Sequence, residues 1–245
     1  MKTTKIEWTE ATWNPSIGCS KISAGCKNCY AEVMARRLQA IGVPGYEDGF
    51  AFKTLPERLC QPASVKKSTK FFVNSMSDLF HEKMPFNFLD KIFGVIASTP
   101  QHHYQILTKR ERVLQKYFLK RTVPANVWLG VTVENEQAKH RIDVLRGIDA
   151  TVRFVSIEPL IDDVGVLDLG GIHWVIVGGE SGVSARPMEQ QWAVSVQKQC
   201  AKQKVAFFFK QWGTWGSDGI KRNKKENGSS LLGKEWKEEP MVAVA

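Results

Sequence analysis

From residue 71 onward the chain alternates short apolar runs with amphipathic stretches, and that rhythm predicts strands followed by helices. Phe71-Phe72-Val73-Asn74 reads as a strand, and residues 88–96 read as a helix with one apolar face and Asn87 placed to cap it. Residues 104–107 form the next apolar run, followed by a helix carrying Val113, Leu114, Tyr117 and Phe118. Residues 127–131 are followed by a helix carrying Ala138, Ile142 and Leu145. Further strands are expected at 153–157, 174–177 and 205–209, with Trp192, Val196 and Cys200 sharing one helix face between the last two. Strands that point the same way need crossover connections, so repeated strand–helix units imply a parallel sheet. About six units predict an α/β fold, a parallel (β/α) barrel that is either open, a partial TIM barrel, or closed.

Such barrels carry their chemistry just past the carboxyl ends of the strands. Polar residues cluster there: Asn74, Ser75 and Asp78; Thr108 and Lys109; Thr132 and Glu134; Glu158; Gly178, Gly179 and Glu180; Lys210 and Gln211. Residues 42–70 are rich in Gly, Pro and charge without clear periodicity, and predict a long connection over one side of the barrel. Residues 1–216 are taken as the barrel and 217–245 as a C-terminal extension packed on it, with a small hairpin centred on Gly233.

Composition narrows the class. With 245 residues, 43% hydrophobic and 24% charged, the chain has the make-up of a soluble globular protein. No apolar run approaches the ~20 residues of a membrane helix. No apolar signal core follows the basic N-terminal residues, so a reducing cytoplasm is the expected location. A net charge of +9 favours an anionic partner such as nucleic acid. The basic groups at Lys66, Lys67 and Lys70, at Lys116, Lys120 and Arg121, and at Lys221, Arg222, Lys224 and Lys225 each read alone as a solvated face.

The five cysteines are a poor disulfide framework, because Cys19, Cys26 and Cys29 crowd into eleven residues while Cys60 and Cys200 stand alone. Soft thiolates select zinc or iron–sulfur clusters. Structural zinc wants four ligands, and the histidines at 81, 102, 103, 140 and 173 are remote from the cluster in sequence. A four-iron cluster on three cysteines leaves one iron open for chemistry.

Cys26-Lys27-Asn28-Cys29-Tyr30-Ala31, ahead of a barrel, resembles the radical S-adenosylmethionine (SAM) superfamily. Six residues separate Cys19 from Cys26, a longer gap than the superfamily usually has, with Gly18 and Gly25 to turn the loop. Trp13-Asn14-Pro15, Gly18-Cys19, residues 75–80, Ile157-Glu158-Pro159-Leu160, residues 178–182 and Phe209-Lys210-Gln211-Trp212-Gly213 resemble a phage and bacterial three-cysteine family described as radical SAM-like. The barrel is similar, more distantly, to spore photoproduct lyase, a radical SAM enzyme acting on DNA.

The resemblance implies a partial barrel of the radical SAM type, a 4Fe-4S cluster on Cys19, Cys26 and Cys29, and SAM cleaved to a 5′-deoxyadenosyl radical that abstracts a hydrogen atom. By the same resemblance Ser75, Asp78, Lys109, Thr132 and Glu134 contact SAM, Lys109 pairing with its carboxylate, and Tyr30 packs beside the cluster or adenine. Gly178, Gly179 and Glu180 are expected near the cofactor, Glu158 and Lys210 as catalytic groups, and Arg186 and Gln211 at the substrate. Blander readings stay open: Lys109 capping a sheet edge, Glu134 stabilising a helix dipole, Glu180 pairing with Arg186. Cys200 reads as core and Cys60 has no assigned role.

The expected function is a radical SAM enzyme, of isomerase, mutase or lyase class, that rearranges or modifies a nucleobase in DNA. An amino-acid-modified thymidine in phage DNA hypermodification is one such substrate, with a host-cytoplasmic setting if the chain is phage-encoded. A reductant such as flavodoxin or ferredoxin would supply electrons, and no membrane partner is expected. The alternatives are a radical SAM enzyme on a small molecule, and a non-catalytic zinc-stabilised nucleic-acid-binding module.

Overall fold

The computed structural model describes residue 4 and residues 6–241. Residues 1–3 and 5 of the N-terminal segment, and 242–245 of the expected extension, lie outside the described residues. The main sheet has seven strands: β1 (Ala11–Trp13), β2 (Lys70–Val73), β3 (His103–Thr108), β4 (Val127–Thr132), β5 (Val152–Ile157), β6 (Trp174–Gly178) and β7 (Ala206–Gln211). They stand side by side in chain order. The principal helices are α1 (Tyr30–Ala40), α2 (Phe86–Ser98), α3 (Glu111–Phe118), α4 (His140–Arg146) and α5 (Gln190–Gln203). The α/β class expected from the alternating pattern is the class that forms.

Three details differ from the pattern. A seventh strand, β1, precedes the expected six; its three residues are too few to show a period. Helix α2 starts at Phe86 behind Pro85, so Asn87 lies inside the first turn and does not cap it. The proline, with φ −68° and ψ 134°, supplies the extended residue from which the helix begins. The helix expected through Ala138, Ile142 and Leu145 is a 3-10 turn at Glu136–Ala138 followed by α4, and all three side chains are still buried.

The chain packs as two compact units. The first comprises residues 1–22, 29–129 and 148–151. In it β1 pairs in parallel with β2, Trp13 opposite Val73, and β2 with β3, Phe72 opposite Gln105. Trp13, Phe71, Tyr104, Leu89 and Tyr117 fill its core with at most 1% exposure. Burying each such side chain contributes about 1.5–3 kcal/mol. The stretch 42–70, which has no readable period, is ordered by a two-residue strand, Lys53–Thr54, paired antiparallel with Ser16–Ile17. Two proline-led turns follow, and Tyr46 and Leu55 bury against Ile17 and Ala35.

The second unit comprises residues 23–28, 130–147 and 152–245. Here β5, β6 and β7 pair in parallel, Phe154 opposite Trp174 and Trp174 opposite Ala206. Every residue of β6 is buried, which explains its unbroken apolar run. Gly130 leaves the space that the Phe154 ring occupies: a Cβ there would lie 2.4 Å from it. The hairpin centred on Gly233 joins Ser230–Leu231 to Lys234–Glu235, with Leu232 at φ 53° and Gly233 at φ 75° as a type I′ turn requires. Beyond it the chain runs along β7, where Phe209 N donates to Trp236 O at 2.8 Å and Phe207 N to Glu238 Oε2 at 3.0 Å. Among the described residues no helix is long and apolar enough to cross a membrane.

Candidate metal centre

None of the five cysteines is in a disulfide, and Cys19, Cys26 and Cys29 are all partly exposed. Cys19 and Cys29 belong to the first unit and Cys26 to the second. Among the described residues no three His, Cys, Asp or Glu side chains converge as a single bound ion would require. A four-iron cluster sets a different requirement, because each thiolate takes a different iron. Three unbridged thiols in one short segment fit that donor set.

In the first unit the cysteine segment is gripped by a buried arginine. Arg110 follows β3 and is 4% exposed. A guanidinium carries five N–H donors in a planar fork. Nε donates to Glu82 Oε1 at 2.9 Å; Nη1 to Asp78 Oδ2 at 3.2 Å and Cys19 Sγ at 3.4 Å; Nη2 to Ser20 O at 2.9 Å and Ser20 Oγ at 3.0 Å. Burial opposes its charge, but Asp78, Cys19 and Glu82 outweigh that and its pKa stands above the usual arginine value. Burial pushes the Cys19 thiol pKa up, with Arg110 pulling against it.

The surrounding groups fix that arginine. Asp78 Oδ1 accepts from Phe80 N at 3.0 Å and Thr108 Oγ1 at 2.7 Å, and Oδ2 also accepts from Lys109 N at 3.0 Å. His81 Nδ1 accepts from Lys83 N at 3.1 Å, so a neutral ring carries its proton on Nε2, 3.0 Å from Ser20 Oγ. Burial and then Arg110 hold the His81 pKa below 6.5, in keeping with a neutral ring, and Phe52 stacks on it at 4.3 Å. Cys29 stands at the N-cap of α1, the positive end of a helix dipole. The Tyr30 hydroxyl donates to Ser75 O, and Ser75 Oγ to Asn14 Oδ1 at 3.2 Å.

In the second unit carboxylates grip the segment through its backbone and an amide. Cys26 closes the 3-10 turn Ala24–Cys26, its N–H donating to Ser23 O at 3.0 Å. Glu134, 1% exposed, accepts from Gly25 N at 3.3 Å on Oε1 and from Arg141 Nη1 at 2.8 Å on Oε2. The same Arg141 nitrogen reaches Thr132 O at 2.8 Å. A Cβ on Gly25 would lie 3.2 Å from the Glu134 side chain, so glycine permits the close approach. Asn28 Nδ2 donates to Glu180 Oε2 at 2.9 Å and Ser184 O at 2.7 Å. Glu180 also holds Arg186 through Nε at 3.0 Å and Nη2 at 2.7 Å.

Farther along the second unit Glu158 and Lys210 meet in an ion pair of 3.0 Å, their side chains 15% and 18% exposed. Gly178 makes that placement possible, since a Cβ there would lie 2.4 Å from Glu158 Oε1. Gly179 is closed off by backbone, its absent Cβ falling 1.9 Å from Trp212 O. Gln211 Nε2 donates to Ser181 Oγ at 3.2 Å. The Ser156 hydroxyl, on β5, is buried with no hydrogen-bond partner among the described residues.

The structure thus pairs Glu158 with Lys210 and Glu180 with Arg186. Asp78, Glu134 and Glu180 all hold groups of the protein itself, while the Lys109 side chain is half-buried. Cys200 is buried, which pushes its thiol pKa to about 12, and Cys60 is exposed. Sequence reasoning missed Arg110, Arg141 and Asn28. Arg110 sits one position past Lys109, in the two-residue turn between β3 and α3, where no strand or helix period indicates which side chain is buried. No sequence signal separates a buried arginine from an exposed one.

The fold is the parallel α/β partial barrel of the radical SAM type, the one found in spore photoproduct lyase. The structure of that enzyme complexed with dinucleoside spore photoproduct matches at a TM-score of 0.50 and 12% identity, over 82% of this chain and 63% of that one. A mutant with bound AdoMet and the same dinucleoside matches at 0.49 and 12%, again over 82% and 63%. The chain therefore spans under two thirds of the length of these enzymes. No curated protein matches it. Over residues 3–240 it matches, and so belongs to, the family described as Protein of unknown function (DUF5131).

Proposed function

We propose that this chain is a radical SAM enzyme that holds a 4Fe-4S cluster on Cys19, Cys26 and Cys29. The observation that carries the reading is the set of three unbridged, partly exposed thiols in a segment whose turns are fixed by buried charged side chains on a barrel of this type. When bound, the cluster's open iron and SAM together supply a 5′-deoxyadenosyl radical that takes a hydrogen atom from the substrate.

The chain's own residues bind and orient. Lys109 takes the SAM carboxylate, and Tyr30 packs beside the cluster or adenine. Glu158 and Lys210 face the substrate: Lys210 offers its ammonium to an anionic group, and Glu158 then accepts a hydrogen bond from a substrate N–H or O–H. Gly178 gives Glu158 the room to do so. Electrons come from a reductant of the flavodoxin or ferredoxin kind.

The substrate we infer is a nucleobase in DNA that is rearranged or otherwise modified, an amino-acid-bearing thymidine being one example. A net charge of +9 supports it, as does likeness to an enzyme solved with a dinucleoside lesion.

Anaerobic reconstitution with iron, sulfide, SAM and dithionite tests the class. A brown protein that releases 5′-deoxyadenosine, with both properties lost in Cys26→Ala, is the expected result; an unchanged cluster in that variant overturns the ligand set. A colourless protein with stoichiometric zinc supports the binding-module alternative. Retention on duplex DNA that falls steeply with salt, followed by mass spectrometry of modified DNA, separates a DNA substrate from a small molecule.

A further inference from the structure

Arg110 makes contacts that are unusual for a residue past a strand end. All five of its N–H donors have an acceptor, and three of those acceptors, Cys19 Sγ, Ser20 O and Ser20 Oγ, belong to the cysteine segment. The other two, Asp78 and Glu82, anchor the guanidinium on the protein side. His81 adds a second hold on Ser20 Oγ at 3.0 Å. The residue next to Cys19 is therefore fixed through both backbone and side chain, at the start of the long spacer to Cys26.

The contacts of Cys19 change on ligation. Its Sγ lies 3.5 Å from Ser20 O, which needs the thiol proton, and 3.4 Å from Arg110 Nη1, which needs a lone pair. A metal-bound thiolate has lost the first and keeps the second, now charge-assisted. Lysine could supply charge there but not a planar fork reaching sulfur, carbonyl and carboxylate together.

We propose that Arg110 is the positioning residue of this site, holding Cys19 as a cluster ligand across the long spacer and donating to its sulfur once the cluster is bound. The proposal rests on the cluster reading above. Donors to cluster sulfurs raise the reduction potential, because they stabilise the more negative reduced state. Losing the donor moves the potential downward.

The test uses Arg110→Lys, Ser20→Ala and Cys19→Ala in the full-length protein. In cofactor-free protein, tryptic cleavage after Lys21 reports on the hold: Arg110→Lys is expected to speed it about tenfold, since bonds to charged groups are lost from a local opening equilibrium. Ser20→Ala removes one Arg110 acceptor, leaves the Asp78 contact intact, and speeds cleavage by a smaller factor. It keeps the test decisive should Arg110→Lys fail to fold. In reconstituted protein, Arg110→Lys is expected to lower the cluster's midpoint potential and alter its electron paramagnetic resonance signal, whereas a merely structural role leaves both at wild-type values in the iron-loaded fraction. Wild-type cleavage and wild-type potential overturn the inference while the cluster reading stands. Full iron and sulfide content in Cys19→Ala overturns Cys19 as a ligand, and the inference with it.

Discussion

The cysteine segment is held differently in the two units. In the first, a cation grips it: Arg110 donates to the sulfur of Cys19 and to both oxygens of Ser20. In the second, anions grip it: Glu134 accepts from Gly25 N and Glu180 from Asn28. A donor can serve a thiolate, whereas a carboxylate beside one would repel it. In the first unit the arginine is placed at the sulfur with Asp78 and Glu82 behind it, and in the second Glu134 and Glu180 take a backbone N–H and an amide.

The largest break in this comparison comes from Arg110→Met. It leaves Asp78 buried without its ion partner and frees Ser20, and about 3–5 kcal/mol of stability is expected to be lost, measured by urea unfolding of the apoprotein. Glu134→Gln strikes the other side. It keeps an acceptor for Gly25 but removes the charge opposite buried Arg141, for about 1.5–3 kcal/mol, and should leave the cluster's potential nearer the wild-type value than Arg110→Lys does.

The Glu180 grip is expected to show in pH. Burial raises the Glu180 pKa, but bonds from Arg186 and Asn28 outweigh it and hold it below the ordinary 4.5. A folded-state pKa below the unfolded one contributes stability in full above about pH 5, lost as pH falls through the folded value. Thermal midpoints of wild type should therefore fall more steeply on acidification than those of Glu180→Gln; parallel curves would remove Glu180 from the clamp. The smallest effect is expected at Glu32, where Lys21 at 2.9 Å and Arg36 at 2.7 Å pair on the surface. Glu32→Gln should cost less than about 1 kcal/mol and vanish in salt.

Much of the fold was legible. The runs at 153–157 and 174–177 became β5 and β6 almost to the residue: β6 is buried and apolar throughout, and β5 keeps its apolar residues buried around Arg153 and Ser156. The hairpin at Gly233 was legible because only a few residues tolerate φ > 0. β1 was not, since three residues between polar ones carry no period. The Lys53–Thr54 strand was not either, because its partner Ser16–Ile17 lies far away in the chain.

At the site, sequence by itself determined the candidate donors, three soft thiols in eleven residues, because ligand chemistry belongs to residue type and local spacing. It also determined the alternating pattern that sets the α/β class. Tertiary structure alone decided which charges hold the segment: Arg110 reaches Cys19 from ninety-one residues away and Glu134 reaches Gly25 from one hundred and nine. Coulombic and hydrogen-bond partners are chosen by distance in space and by burial, and neither is written in the spacing of residues along a chain.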